Sequence, residues 1–122
     1  MKNQKIHIPI FDFDLEIVEL ELNDNGTYLS REMEDFGCTE EHIKHCISNI
    51  EGGINGGGEC FRNLDKQKFL VVIYYHEKEN KKAGTIAHEL RHVVDHICEH
   101  CHIEDIEMPA YITGHIYEQL NA

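Results

Sequence analysis

Five consecutive residues in the second half of the chain carry its strongest chemical signal. His88, Glu89 and His92 stand in the pattern His-Glu-x-x-His. On a helix, residues four apart lie one turn above each other, so both imidazoles can reach one metal ion. Glu89 is displaced around the helix from its neighbour, which lets its carboxylate act as general base on a water at the metal. The pattern predicts a zinc-dependent hydrolytic site.

A long helix from about residue 81 to residue 101 must hold these side chains. At about 100° per residue, its apolar side chains share one arc: Ile86, Leu90, Val93, Val94, Ile97, Cys98 and Cys101. His88 and His92 fall in a stripe on the opposite side. The strand-like run of residues 68–75 comes shortly before. This arrangement indicates a packed helix that turns its histidines away from the core.

Catalytic zinc takes three protein ligands, so one remains to be found after the two histidines. Asp95 lies about 10 Å along the helix axis from the first histidine, beyond the reach of its short side chain. His96 and His100 keep the four-residue spacing but rotate off the stripe, which suggests solvated side chains. The third ligand is therefore expected from the following helix.

That helix is predicted to run from about residue 105 or 107 to residue 120, folding back antiparallel. Glu107 lies at its start, because Pro109 is tolerated only in a first helical turn. Tyr111 shares a stripe with Glu107, and the small residues Ala110 and Gly114 would allow a neighbouring helix to approach. Glu107 is our candidate for the third ligand. Glu104, in the connecting loop, is the second candidate.

His-Glu-Leu-Arg-His followed by a glutamate on the next helix resembles the gluzincin branch of zincin metallopeptidases. Thr-Ile-Ala-His-Glu-Leu-x-His-Val-Val with Glu-x-x-Ala-Tyr-x-x-Gly also resembles small metallopeptidase-like proteins of bacteriophages and prophages, mainly over residues 59–120. The resemblance implies an α+β, zincin-like fold, in which a small mixed or antiparallel sheet packs on an active-site helix and a glutamate-bearing helix. It implies Zn²⁺ on His88, His92 and Glu107, with Glu89 as general base. Tyr111, one turn after Glu107, is a further catalytic candidate because it could hydrogen-bond a tetrahedral intermediate.

The implied function is hydrolysis of peptide bonds by a zinc-dependent metallopeptidase. In such proteins an edge strand beside the cleft binds an extended peptide by β-augmentation. That strand would be residues 58–62 or part of residues 69–75. The chain departs from the metzincin branch, since Asp95 and Cys98 stand where that branch has a glycine and its third ligand. The alternative function is a catalytically inactive zincin-like module that binds metal and a protein partner.

The remaining elements are expected to form one domain over residues 1–122. Residues 5–22 alternate in hydropathy with a phase shift near residues 9–14, which predicts two strands joined by a hairpin or bulge. A turn follows at residues 23–26. A helix is predicted over residues 39–50 with Thr39 as N-cap, and strands at residues 60–61 and 68–75. The expected order is strands, helix, strands, helix, helix.

The five cysteines allow rival interpretations. The run from Cys98 to His102 matches a haem-attachment pattern, and Cys98 and Cys101 with His100 or His102 could hold a structural zinc. Another cluster lies on the helix over residues 39–50: Cys38, His42, His45 and Cys46. With an odd number of cysteines and no secretory signal, reduced thiols are the expectation.

The charge balance limits the class of partner. The net charge is −12, from 11 basic and 23 acidic residues. Phosphate contacts need Lys and Arg, so nucleic acid and anionic membranes are disfavoured. No stretch approaches the roughly 20 apolar residues of a membrane span. A peptide or protein substrate fits better, a cationic one best, and the cytoplasm is the expected location.

Overall fold

The computed structural model describes residues 1–120, which form a four-stranded sheet and four helices. The strands are β1 (Lys2–Ile8), β2 (Phe13–Glu19), β3 (Gly58–Asn63) and β4 (Lys68–Ile73), and the helices are α1 (Gly26–Phe36), α2 (Glu40–Glu51), α3 (Glu79–His100) and α4 (Glu107–Gln119). The strand order is β1-β2-β4-β3. β2 and β4 are parallel, and the two outer pairs are antiparallel. The fold is therefore a small mixed α+β fold, as expected.

Helices cover both faces of the sheet. Phe69, Val71 and Ile73 of β4 belong to a core shared with α3 and α4. Leu70 and Val72 belong to a second core shared with α1 and α2. Since successive strand residues point to opposite faces, this explains why β4 is apolar without alternation. None of the helices in residues 1–120 is long and apolar enough to cross a membrane.

The predicted faces of α3 are confirmed. Four of its apolar side chains are fully buried at helical spacing: Leu90, Val93, Val94 and Ile97. Ile86, Cys98 and Cys101 pack against the same core. Each buried aliphatic side chain contributes about 1.5–3 kcal/mol, so this stripe decides the rotation of the helix. His88 and His92 are exposed as a consequence.

The predicted order, with a single helix between the strand pairs, is wrong because α1 was missed. Asn25 caps this helix by accepting a hydrogen bond from the Thr27 amide at 2.9 Å. The helix ends at Gly37, which has a φ of 101°. Its buried side chains recur at helical spacing: Leu29, Met33 and Phe36. That spacing is the signal in the sequence, but it lies within a largely polar segment.

The other predicted elements agree with the structure. β1 and β2 form an antiparallel hairpin whose turn covers residues 9–12. Thr39 caps α2 through its hydroxyl, which accepts from the His42 amide at 3.2 Å. α4 begins at Glu107, with Pro109 in its first turn.

A buried ion pair joins α3 to the sheet. Glu19, the last residue of β2, is 7% exposed, and its carboxylate lies 2.8 Å from Lys82 Nζ. Lys2 Nζ lies 3.8 Å from the same carboxylate. The hydrogen bond to Glu19 raises the pKa of Lys82. The pair fixes the N-terminal part of α3 beside the end of β2.

Replacing Lys82 by methionine is expected to lower the free energy of unfolding by about 2 kcal/mol, because a buried carboxylate loses its strongest donor. Urea denaturation measures this change. Lys81→Met is the matched control, since Lys81 is exposed and forms no ion pair within residues 1–120. The control should stay within about 0.5 kcal/mol of wild type. Equal losses in both variants would contradict the role of the pair.

Candidate metal centre

Three side chains of α3 bring metal-ligating atoms together. His88 Nε2 and His92 Nε2 are 3.2 Å apart. Glu89 Oε1 lies 3.9 Å from His88 Nε2. All three ligand atoms lie within 4.8 Å of one another, and no other group of three or more His, Cys, Asp or Glu in residues 1–120 does so. The structure thus brings together the three residues of the His-Glu-x-x-His motif.

The two imidazoles fit a tetrahedral metal. Ligand atoms about 2.0–2.1 Å from Zn²⁺ in tetrahedral geometry lie about 3.3 Å from each other. The observed Nε2–Nε2 distance of 3.2 Å matches this value. The rings stand at 84° to each other with centroids 4.8 Å apart, and both side chains are open to solvent. An ion arriving from solvent could bind both nitrogens without rearrangement of the helix.

Glu89 differs from both histidines because it is buried. The residue is 5% exposed, and its Oε2 atom has no hydrogen-bond partner within the described chain. Burial raises the pKa of the Glu89 carboxyl, while the neighbouring charges of His88 and His92 act in the opposite direction. Buried polar atoms in folded proteins nearly always have a partner. The unpartnered oxygen is therefore available to accept a hydrogen bond from a bound water or ligand.

The edge strand β3 lies directly against α3 at Glu89. A Cβ atom on Gly58 would lie 3.1 Å from Glu89 Cγ and 3.1 Å from Thr85 Cγ2. It would also lie 2.8 Å from the carbonyl oxygen of Val72 on β4. Only glycine leaves room for this approach. The close approach of this glycine therefore contributes to the burial of Glu89.

Replacing Gly58 by alanine is expected to lower the free energy of unfolding by about 1–3 kcal/mol, because the added methyl overlaps a backbone oxygen. Chemical denaturation provides the measurement. Gly84→Ala, in α3, is the control: its Cβ would meet nothing within 4 Å. Alanine should stabilise that helical position by about 0.5–1 kcal/mol. A Gly58→Ala protein as stable as wild type would rule out the close packing of β3 on α3.

Strand β3 and helix α3 run side by side in the same direction. At its far end, Arg62 Nη1 lies 2.7 Å from His96 Nδ1. The step from Gly58 to Arg62 spans about 13 Å at roughly 3.3 Å per strand residue. On the helix, His96 lies about 16 Å from Thr85 and about 10 Å from Glu89 at 1.5 Å per residue, and these two lengths bracket the length of the strand step. Residues 59–62 and His96 line part of a cavity of about 460 Å³ along this strand.

His96, which was expected to be a solvated side chain, is partly exposed and also makes contacts within the fold. It stacks on Phe69, with ring centroids 6.3 Å apart, and contacts Arg62. Burial, and then the charge of Arg62, lower the pKa of His96. The spacing Thr85, Glu89, His92, His96 was the available signal, since these residues follow one helical stripe. The sequence alone does not show that a strand lies along that stripe.

The candidates on α4 lie outside the assembled group. Glu107 is exposed at the first position of α4, and neither its carboxylate nor that of Glu104 is among the three grouped ligands. The Glu107 amide donates to Asp105 Oδ1 at 2.9 Å, just before the helix. Tyr111 is 57% exposed. The structure confirms the placement of Glu107 at a helix start but does not bring it to the histidines.

The packing face of α4 also differs from the prediction. Ile112 and Ile116 are its buried residues and join the core beneath α3. Ala110 is exposed, and a Cβ on Gly114 would meet nothing within 4 Å. The expectation that these small residues face a neighbouring helix is therefore wrong. The two isoleucines bury more apolar surface than the small residues could, so they set the rotation of α4.

The rival cysteine clusters do not assemble into a metal site. All five cysteines are free thiols. Cys98 and Cys101 pack against the core, while His100 and His102 are exposed. Cys46 donates to the Glu59 carboxylate at 3.3 Å, and burial raises the pKa of its thiol to about 12. These thiols are structural in residues 1–120, as reduced cysteines in a core are expected to be.

No protein-family model, no curated protein and no solved structure is significantly similar to this chain. The local geometry of α3 and β3, and the His-Glu-x-x-His motif on α3, are therefore the features that bear on function.

Proposed function

We propose that the chain is a zinc-dependent metallopeptidase with a zincin-like arrangement of β3, α3 and α4. One observation supports this above all. Two histidine nitrogens stand at the separation that a tetrahedral ion requires, beside a buried carboxylate oxygen without a partner. An unsatisfied buried group costs about 1–3 kcal/mol or more, so a purely structural helix would not favour it. A general base whose oxygen accepts a hydrogen bond from the attacking water would explain this unpartnered oxygen.

His88 and His92 would hold the zinc, with Glu107 as the proposed third ligand. When bound, Zn²⁺ supplies a Lewis acid that activates water and polarises the scissile carbonyl. Glu89 accepts the proton of the attacking water at Oε2 and then donates it to the nitrogen of the leaving amine. The packing of Gly58 excludes bulk water from the base on the sheet side. Tyr111 remains a candidate donor to the developing oxyanion.

The substrate would bind as an extended strand along β3. Of the two strands considered for this role, β3 lies at the edge of the sheet, whereas β4 lies between β2 and β3. An edge strand presents unpaired amide and carbonyl groups that can pair with a peptide. Because β3 lies against Glu89 at Gly58, a peptide on this edge would pass the general base.

A catalytically inactive metal-binding module is the second candidate. The observation that favours it is the position of Glu107, whose carboxylate is not part of the assembled group. Two histidines and one buried glutamate can bind an ion without leaving a base free for catalysis. In that case the acidic surface would serve to bind a protein partner.

Removing the metal tests the proposal. The zinc-loaded protein is expected to cleave casein or a quenched fluorescent peptide library, and a chelator should abolish cleavage until zinc is restored. Equilibrium dialysis should find one tightly bound zinc per chain. One zinc without cleavage of any peptide would favour the inactive module. Several weak zinc ions would contradict both functions and indicate metal storage by the ten histidines.

A further inference from the structure

A second cavity opens one helical turn from Glu89. It has a volume of about 380 Å³ and lies between residues 55–57, residues 76–78 and the α3 side chains of Lys81 and Thr85. Thr85 connects the cavity to the metal centre, since Gly58 packs against both Thr85 and Glu89. Four helical residues separate Thr85 from Glu89, a rise of about 6 Å.

That distance sets which part of a substrate reaches the cavity. An extended peptide advances about 3.3 Å per residue. A peptide on the edge of β3 with its scissile bond at Glu89 would therefore place a side chain one or two residues away beside Thr85. The cavity is thus located where a peptidase reads a residue that flanks the scissile bond.

The wall of the cavity is fixed by His76. This residue is 7% exposed, and its Nδ1 atom lies 2.6 Å from the Tyr74 carbonyl oxygen. Its Nε2 atom lies 2.8 Å from Thr85 Oγ1. A Cβ on Gly56, whose φ is +100°, would lie 3.9 Å from the ring. Since both ring nitrogens are already bonded, His76 shapes the cavity and leaves ligand recognition to the lysines.

The charge of the cavity is opposite to that of the chain. Lys78 and Lys81 form no ion pair within residues 1–120. Glu77 is the one acid in the lining; its amide donates to Asn55 Oδ1 at 3.0 Å, and its carboxylate accepts from Asn55 Nδ2 at 3.5 Å. Two lysines and one glutamate give the lining a net charge of +1, in a chain with a net charge of −12.

We propose that this cavity binds the carboxylate of an aspartate or glutamate close to the scissile bond, so that the enzyme prefers acidic peptides. Arg62, near the opposite end of β3, is a third cation beside the proposed peptide path. The inference rests on the proposed peptidase function and reverses the expectation from net charge, which favoured a cationic substrate.

Binding of a small probe tests the cavity without catalysis. N-acetyl-glutamate α-amide is titrated into the zinc-loaded full chain, and the NMR shifts of the Gly56 and Gly57 amides are followed. Saturable shifts are expected with this probe and not with N-acetyl-glutamine α-amide, which lacks the charge. Lys78→Glu/Lys81→Glu should abolish them. Lys44→Glu/Lys66→Glu, with the same net charge and exposed lysines elsewhere, should retain them. Equal shifts with both probes, or none with either, would overturn the proposal.

The preference for acidic peptides during cleavage tests whether the same cavity acts in catalysis. Quenched peptides that differ only in Glu or Gln beside the scissile bond should be cleaved with a preference for Glu of about fivefold, the effect of one exposed ion pair. The preference should fall as ionic strength rises and disappear in Lys78→Glu/Lys81→Glu. An unchanged preference in that variant would refute the cavity's role. If wild type cleaves no peptide, the peptidase function fails, and the probe titration still decides whether the cavity binds a carboxylate.

Discussion

Replacing Glu89 by glutamine is expected to lower kcat of the zinc-loaded protein by about 10²–10⁴-fold, the contribution of a positioned general base. Glutamine keeps the size of the side chain but cannot accept the proton of the attacking water. Zinc affinity should change little, because both imidazole ligands remain. Steady-state kinetics on a fluorogenic peptide measure kcat, and competition with a chromophoric chelator measures the zinc dissociation constant.

The stability of Glu89→Gln shows whether Glu89 has a catalytic role or a structural one. In wild type the buried Glu89 Oε2 has no partner. Removing the charge should therefore leave the zinc-free protein as stable as wild type, or more stable by up to about 1 kcal/mol. Glu99→Gln, on an exposed part of α3, is the control for both measurements. A large loss of stability in Glu89→Gln, with kcat retained, would make Glu89 a structural residue and end the proposed mechanism.

The difference in stability between wild type and Glu89→Gln should change with pH in one direction. Burial raises the pKa of Glu89 above its ordinary value of 4.5, so the folded state binds the proton more tightly than the unfolded state. The ionised carboxylate then destabilises the fold, and its cost disappears as pH falls through the raised pKa toward 4.5. The stability gap between wild type and Glu89→Gln in zinc-free protein should therefore close on acidification. A gap that widens instead would contradict the burial of this group.

Elements with a strong period could be predicted from the sequence. In α3, buried residues recur at every third or fourth position, so hydropathy alone identified both its core face and the exposure of His88 and His92. The Thr39 cap and the turn at residues 9–12 are equally local signals. α1 was missed although it has three buried residues, because its cap residue Asn25 was assigned to a turn over residues 23–26. α2 has one buried residue, Cys46, and was predicted from its Thr39 cap and acidic first turn. For helices that are mostly solvated, the cap is therefore a stronger local signal than hydropathy.

Contacts between distant segments could not be predicted in the same way. The burial of Glu89 depends on Gly58, a residue in a glycine-rich segment that hydropathy describes only as a loop. The contact of Arg62 with His96 joins residues 34 positions apart. Such pairs follow from how β3 lies along α3, which is a property of the whole core. The grouping of His88, Glu89 and His92 on one helix was therefore predictable, whereas the contact of β3 with that helix was not.

The third ligand decides between the two proposed functions, and Glu107→Gln is expected to weaken zinc binding by at least about 100-fold. Loss of residues that merely support a ligand costs about 10–100-fold, so loss of a ligand should cost no less. The Glu107 carboxylate forms no ion pair within residues 1–120 and is exposed at the first position of α4, so no ion pair competes with metal binding there. Chelator competition on the full chain measures the affinity.

Glu104→Gln is the matched variant, since Glu104 is an exposed acid three residues earlier. It should change zinc affinity less than about threefold. If Glu104→Gln instead causes the large loss, the ligand comes from the loop and the peptidase mechanism stands unchanged. If neither variant weakens binding and Glu89→Gln does, the buried carboxylate is itself the third ligand, in keeping with the close grouping of His88, Glu89 and His92. A carboxylate that binds the ion directly is a much weaker base than a free one, so that result would favour the inactive metal-binding module over the enzyme.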